Sequence, residues 1–393
     1  MSWEIRKFGD VVEFPPKVKL EKKEQYSFIP MDEVEAGRKY VGPKYLKEWK
    51  GSGGARFEEG DTLFARITPC LQNGKISQAK GLINGKGFGS TEFFIFRGVE
   101  GVTDTDFVYY LSINSEFTEY AIGSMVGASG RQRADTKFVG EYEFNLPPLQ
   151  TQKHIADILS AYDDLIENNL KRIKLLEQAA QNIYKEWFVN MRFQGHENAV
   201  INEETGLPEG WKKVNLYDFA KIQMGYAFKA NDFNDEMAGS PAIRIRDILS
   251  GWTKTYTTEE VSNKYYVEHG DILIGMDGIF HMGIWSGQKK ALLVQRVCRL
   301  RANNKSLQGY LFESLKAPIK YYEQTISGAT VAHLGAKHLK EIFILIPDDE
   351  LLNRLSIFNT FNSETITLNK QNQKLKAARD ILLPRLMNRT IEV

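Results

Sequence analysis

The segment Gly127-Ala128-Ser129-Gly130-Arg131-Gln132-Arg133 joins a glycine-rich stretch to three long polar side chains. An arginine fork matches the O6 and N7 acceptors of guanine, and a glutamine amide matches N6 and N7 of adenine; each such pair gives about 1–3 kcal/mol of discrimination. Arg131, Gln132 and Arg133 are therefore candidate readers of base edges. The alternative is a surface loop whose arginines pair with nearby acids. About 200 residues further on, Gly328-Ala329-Thr330-Val331-Ala332-His333 has the same glycine start and different side chains, as expected if one scaffold occurs twice and reads two different sequences. Asn73 and Lys75, in Pro69-Cys70-Leu71-Gln72-Asn73-Gly74-Lys75, and Arg244 and Arg246, in Ile243-Arg244-Ile245-Arg246-Asp247, are further candidates for DNA contact. Alternating arginines on a strand would present both guanidinium groups on one face; a solvated strand edge has the same pattern.

No constellation for catalysis stands beside these residues. There is no GxxxxGK[ST] phosphate loop, no HExxH and no GxSxG elbow. Gly85-Lys86-Gly87-Phe88-Gly89 has the wrong spacing for a dinucleotide site and reads as a turn. His333 and His338 read as surface or turn residues rather than a metal pair. Pro347-Asp348-Asp349-Glu350 lacks the lysine of a nuclease motif and reads as an acidic helix start favoured by the helix dipole. Leu146-Pro147-Pro148-Leu149 lacks both the polar and the aromatic member of the amino-methyltransferase signature. The chain is expected to hold no metal and no cofactor.

Composition bounds the rest. The chain has 393 residues, 42% hydrophobic and 26% charged, a globular profile with room for two or three domains at roughly 100–200 residues each. Cys70 and Cys298 form no CxxC, which suits a reducing compartment. Residues 1–7 contain no apolar leader, and runs such as 342–347 are too short to span a bilayer, so a cytoplasmic location without membrane association is expected. Lys and Arg total 51 against 50 Asp and Glu, and the first 150 residues carry 20 basic and 21 acidic side chains. A simple nucleic-acid binder shows a basic stripe, so here one face must gather the cations or partner subunits must supply phosphate contacts.

The elements that would position these residues occur twice. Trp3, Phe8 and Asp10 recur as Trp211, Leu216 and Asp218; Gly60-Asp61-Thr62-Leu63-Phe64 as Gly270-Asp271-Ile272-Leu273-Ile274; Gly127-Ala128 as Gly328-Ala329; and Phe144-Asn145-Leu146-Pro147 as Ile344-Leu345-Ile346-Pro347. Short strands are expected at 62–67, 92–97, 242–245, 271–276 and 292–300, with helices at 106–120 and 306–323. After each half comes a long segment without glycine. In the first, 151–192, Ile155, Leu159, Tyr162, Ile166, Asn169, Ile173, Leu176, Ala180, Ile183 and Trp187 follow four–three spacing, the seam of a coiled coil. Asn169 is either a register-setting polar residue or a solvated edge position. The second seam reads Phe358, Phe361, Thr365, Leu368, Asn372, Leu375, Arg379, Leu382 and Leu386, with Pro384 expected to end or kink the helix near Leu383. The predicted fold class is α+β: two similar mixed α/β domains in tandem, separated by two long helices that pair as an antiparallel coiled coil, with a pseudo-two-fold internal repeat. The expected helix-pair interface is Ile155, Leu159, Ile166, Ile173 and Leu176 against Phe361, Leu368, Leu375 and Leu382. The boundaries are 1–150 and 211–347 for the domains, 151–193 and 348–393 for the helices, and 194–210 for a linker.

Over its whole length the chain resembles the DNA-specificity subunits of type I restriction–modification enzymes. Leu146-Pro147-Pro148-Leu149, Gln152-Lys153, Ile155-Ala156, Ile158-Leu159 and Ile183-Tyr184-Lys185-Glu186-Trp187-Phe188 resemble that family's central helical region. Gly87-Phe88-Gly89-Ser90-Thr91-Glu92-Phe93 and Gly130-Arg131-Gln132-Arg133 resemble parts of its recognition domains, and 385–393 its closing tail. Ile346-Pro347-Asp348 departs from the pattern in the second half. The resemblance implies a non-catalytic subunit with two target-recognition domains. Each would read one part of a split, asymmetric site in double-stranded DNA, and the helices would set the unread spacer. It further implies two modification subunits that use S-adenosylmethionine to methylate adenine, and restriction subunits that use ATP and magnesium. Arg131, Gln132 and Arg133 would then serve the first half-site and Arg244, Arg246, Thr330 and His333 the second, with Asn73 and Lys75 as further DNA contacts. A rival reading is a coiled-coil scaffold that binds protein partners and has no DNA preference.

Overall fold

All four side chains of Thr62–Ala65 are buried, so this run must lie inside a sheet covered on both faces. In the computed structural model, which describes residues 3–128, 130–326 and 332–393, it pairs antiparallel with Phe93–Gly98, Phe93 facing Ala65 and Phe96 facing Thr62, and on its other edge with Ile76–Ala79. Val12–Glu13 and Tyr40–Val41 complete this five-stranded sheet. Phe8, Phe64, Phe96 and Phe117 cluster there with ring centroids 4.7–6.1 Å apart, together with the helix Thr105–Ile113. Asp104 caps that helix by accepting the Phe107 N–H at 3.0 Å. These elements belong to a unit made of 1–168 and 372–393; a second unit comprises 169–371.

The predicted turn at 85–89 is instead a strand, Lys86–Gly89, in the middle of a four-stranded sheet with Gln25–Ile29, Ala55–Glu58 and Tyr45–Glu48. Its glycines serve close approach. A Cβ on Gly87 would lie 2.6 Å from the Phe57 ring, and one on Gly89 2.2 Å from the Ile29 carbonyl oxygen.

The second unit builds the same frame from different residues. Ile272–Gly275 is fully buried and pairs with Val297–Ala302, Val297 facing Gly275 and Leu300 facing Ile272. Ala220–Met224 and Met282–Ile284 flank the pair. Outer two-stranded pairs also correspond: Glu4–Lys7 with Glu143–Leu146, and Lys212–Asn215 with Phe343–Ile346. Asp61 accepts two hydrogen bonds from Arg97 at 2.6 and 2.7 Å, and Asp271 two from Arg301 at 2.5 and 2.7 Å. Each aspartate also takes the backbone N–H three residues earlier, of Glu58 and Glu268, at 2.7 Å. This repeated buried clasp fixes the start of the central strand.

Several expected boundaries shift. The run 292–300 is two strands, Ala291–Leu293 and Val297–Ala302, broken at a corner where Arg296 adopts φ +74°. The helix expected at 106–120 divides at Asn114, whose extended backbone ends Thr105–Ile113 and starts Ser115–Gly123. The helix expected at 306–323 is Gln308–Thr325.

The first long helix spans Leu149–Tyr184 and passes into a wider turn, Lys185–Val189, rather than running on to 192. Asp348 caps Asp349–Arg354 by accepting the Leu351 N–H at 2.9 Å, as expected of an acidic start, and Ile357–Met387 follows. Pro384 does not end that helix. It forfeits one main-chain donor, but Leu383 and Leu386 are buried in the first unit's core with Ile155 and Leu159, and that packing carries the helix one turn further. Of the expected interface residues, Ile155, Leu159, Ile166, Ile173 and Leu368 are buried, while Leu176, Phe361, Leu375 and Leu382 are half-buried. Asn169 is buried, which removes the solvated-edge reading. The polar column of the second helix goes inward too: Asn372 and Arg379 are buried. Arg379 reaches the buried Asp163 at 2.5 Å, and Asp163 also accepts the Tyr110 hydroxyl at 2.7 Å. Among the described residues, no helix is long and apolar enough to cross a membrane.

Candidate nucleic-acid interface

In the first unit the arginine-bearing loop is a closed hairpin pinned to strand ends. Val126 and Arg133 exchange backbone hydrogen bonds at 3.1 and 3.0 Å, which closes the loop on itself. The Thr68 N–H donates to the Gln132 carbonyl at 2.9 Å, Ala134 N–H to the Arg66 carbonyl at 2.8 Å, and Arg66 N–H to the Glu92 carbonyl at 2.9 Å. Thr68 Oγ1 also accepts the Gln132 N–H at 3.0 Å. The loop's base is thus held by main-chain bonds. Arg131 is exposed and Gln132 half-buried; among the described residues neither side chain makes a hydrogen bond or ion pair.

Arg133 is exposed but engaged, donating to both oxygens of Glu92 at 2.7–3.1 Å. The reading in which a loop arginine pairs with a local acid therefore holds at this position. The hydrogen bonds from Arg133 keep the Glu92 carboxyl below the usual glutamate range, and Glu92 in turn raises Arg133. A carboxylate that accepts from one edge of a guanidinium fixes its plane and leaves donors on the other edge. Beside this corner a cleft is lined by Pro16, Arg56, Arg66, Thr91 and Phe94, with the Arg66 guanidinium 4.5 Å above the Phe94 ring.

The second unit repeats three of these main-chain bonds. Gly278 N–H donates to the Ala332 carbonyl at 2.9 Å, Leu334 N–H to the Met276 carbonyl at 2.8 Å, and Met276 N–H to the Arg296 carbonyl at 2.8 Å. The bridge between Ile67 and Arg133 has its counterpart between Asp277 and His333. Position by position, Arg66 corresponds to Met276, Ile67 to Asp277, Glu92 to Arg296, Gln132 to Ala332 and Arg133 to His333. The backbone is shared and the chemistry is exchanged. Here His333 Nδ1 lies 2.6 Å from Asp277 Oδ1, and Arg296 donates to the other oxygen of Asp277. A cleft lined by Met224, Met276, Gln295, Arg296 and His333 opens at the same place.

The remaining candidates fare differently. Asn73 is exposed on a turn, its N–H donating to the Pro69 carbonyl at 2.9 Å. Lys75 is half-buried and its ammonium donates to the Met31 carbonyl at 2.9 Å, so it ties two loops together rather than pointing into solvent. Arg244 and Arg246 do not share a strand face. The strand Ser240–Ile243 stops first, because the Asp247 carboxylate accepts the Arg244 N–H at 2.9 Å and closes a tight turn over Ile245–Asp247. Arg244 lies 4.5 Å above the Phe233 ring, and the exposed Arg246 reaches Thr255 Oγ1 at 3.3 Å. Thr330 lies outside the described residues. Sequence reasoning missed Arg66, Glu92, Asp277 and Arg296 as corner residues. For Arg66, Glu92 and Asp277 the signal was available, since each stands at or beside the end of a predicted strand; Arg296 lay inside the predicted run 292–300 and gave none.

The family model for the type I restriction modification DNA specificity domain matches the chain twice, over residues 1–178 and 208–377. The type I restriction enzyme HindI specificity subunit of Haemophilus influenzae is 25% identical over 87% of this chain and 89% of its own length. The EcoBI specificity subunit of Escherichia coli is 33% identical over 148 residues, which span 37% of this chain and only 31% of that relative. The crystal structure of a type I restriction–modification S subunit from M. genitalium shares the fold with a TM-score of 0.56 at 16% identity, covering 98% of this chain and 96% of that one.

Proposed function

The chain belongs to the type I restriction–modification DNA specificity family, and from that premise we propose that it is a non-catalytic subunit that directs a modification and restriction complex to a split DNA sequence. The observation that carries this reading is the corner built twice with one set of main-chain bonds and two sets of side chains. A module that reads sequence needs a constant frame and variable tips. Arg131, Gln132 and Arg133 read the first half-site from one copy. His333, with Arg246, Arg244 and Thr330, serves the second from the other, and the exposed Asn73 contributes at the first. The two long helices pair as an antiparallel coiled coil and set the unread spacer. Two methyltransferase subunits, carrying S-adenosylmethionine, and restriction subunits, using ATP and magnesium, assemble on this chain in the cytoplasm. Partner subunits supply much of the phosphate contact, which accommodates a net charge of +1.

Methylation profiling of cells expressing this chain with its modification subunit tests the reading. The expected result is a two-part methyl-adenine motif that disappears when this chain is deleted. Full modification without the chain, or an assembled complex with no sequence preference, refutes it and leaves the protein-scaffold reading.

A further inference from the structure

Each unit holds one arginine against a carboxylate at the same corner, but the arginine comes from a different place. In the first unit it is Arg133 on the loop, and the acid is Glu92 at the start of Phe93–Gly98. In the second unit the loop supplies His333, and the arginine is Arg296, at the position corresponding to Glu92. We propose that Arg296, held by Asp277, is the specificity-determining arginine of the second half-site and contacts a guanine edge. This rests on the specificity-subunit reading and adds to it a residue and a base.

Three observations support the assignment. Arg296 and His333 both line the cleft beside the corner, and both side chains are about half exposed, 51% and 53%, while Asp277 between them is 21% exposed. The carboxylate is thus the inner member and the two donors the outer ones, a geometry that orients a fork outward. Second, Arg296 takes a left-handed backbone, φ +74°, which a side chain other than glycine adopts only at a cost. An exposed ion pair returns little stability for that cost, so folding alone does not account for an arginine at this corner. Third, His333 Nδ1 donates to the same Asp277 carboxylate that holds Arg296, so one acid orients both the ring and the guanidinium at this corner. An arginine fork that can donate to O6 and N7, set beside an imidazole, forms a polar set able to distinguish one base pair in the major groove. Asp277 is a positioning residue in this scheme and does not touch the base.

The test is methylation profiling of the assembled complex in cells carrying the wild-type chain, Arg296→Ala, Arg296→Lys or Asp277→Asn, with Arg133→Ala as the control for the other half-site. Arg296→Ala is expected to lower preference for one G·C pair in a single half-site by about five- to 150-fold, the range a lost bidentate contact gives, with the other half-site unchanged. Arg296→Lys keeps the charge but not the fork and should relax the same pair. Asp277→Asn should relax that pair as well, an effect on base preference that a purely structural role would not produce. An Arg296→Ala motif identical to the wild type overturns the assignment while leaving the specificity reading intact. If Arg296→Ala reduces methylation at every site together, Arg296→Lys decides: relaxation confined to one pair supports the assignment, and an unchanged motif overturns it. A wild-type profile without a split motif overturns the specificity reading itself.

Discussion

Replacing Arg379 by Met should destabilise the first unit by about 3–5 kcal/mol, because it strips the partner from a carboxylate that has no route to water. Asp163 is 1% exposed and Arg379 4%. The pair joins one long helix to the other, and the Tyr110 hydroxyl, 2.7 Å from Asp163, joins both to the helix Thr105–Ile113. Burial pushes the Asp163 carboxyl above its ordinary range, and Arg379 and Tyr110 pull it back. A loss of that size is a large share of the roughly 5–15 kcal/mol that holds a typical domain together. Tyr110→Phe removes one hydrogen bond to a charged group and should cost about 1.5–3 kcal/mol. The double variant Asp163→Leu with Arg379→Met removes both charges and should lie close to wild type or above it. Urea unfolding measures all three, with hydrogen exchange of the 105–113 amides locating the loss. The Arg379→Met deficit should also depend on pH. A carboxyl whose native pKa is raised is favoured in its protonated form, so the deficit is smallest below the unfolded aspartate value and grows as pH rises through the raised one. A single-variant cost below about 1 kcal/mol, against the 3–5 of a broken buried pair, or a double variant as damaged as the single, would refute the claim that this junction is a desolvated ion pair.

Three other expectations follow from the same geometry. Gly89→Ala forces a methyl group to within 2.2 Å of the Ile29 carbonyl oxygen, so it should cost about 1–3 kcal/mol in urea unfolding as the strand shifts; an unchanged midpoint would contradict the close approach. Glu92, held below the usual glutamate range first by the Arg133 hydrogen bonds, keeps its pairing above the ordinary value and loses it as pH falls through the depressed one. Carboxyl NMR should place its titration below that of a free glutamate, and a midpoint at or above the free value would remove the clamp. Gln132→Ala should relax preference at one base pair of the first half-site by about 1–3 kcal/mol and leave subunit assembly intact; a randomised-site methylation library that shows no change would exclude Gln132 from reading.

The sequence carried much of this architecture through repetition. Asp61 and Asp271 each precede a fully buried strand and hold its arginine clasp, so the shared Gly-Asp turn marked a real structural equivalence. The first helix was legible because its apolar seam is nearly pure. The second was placed on a seam with a polar column, and Asn372 and Arg379 of that column are buried. What the spacing did not show was the partner of Arg379, since Asp163 is an ordinary polar position 216 residues away. Strand ends were the other blind spot. Arg244 and Arg246 alternate as strand residues do, but a backbone hydrogen bond to the Asp247 carboxylate turns the chain before them. Arg296 sits inside what read as one apolar run, and only its left-handed corner separates the two strands and brings it beside Asp277. Local pattern shows which residues fill a sheet; it does not show which of them meet at its edge.

The corner bonds run from amide to carbonyl: Thr68 to Gln132, Ala134 to Arg66, and their counterparts Gly278 to Ala332 and Leu334 to Met276. None of these four links depends on what the outer side chains are. An arginine, a histidine, an isoleucine or an aspartate can occupy the outer positions without loosening the frame, as the two copies already demonstrate within one polypeptide. Substitutions there should therefore be nearly neutral for folding, and on the proposed reading they would change target choice. If the corners read DNA as proposed, a protein made this way could change the sequence it recognises one residue at a time on a frame whose main-chain links stay the same, and each copy could drift independently of the other.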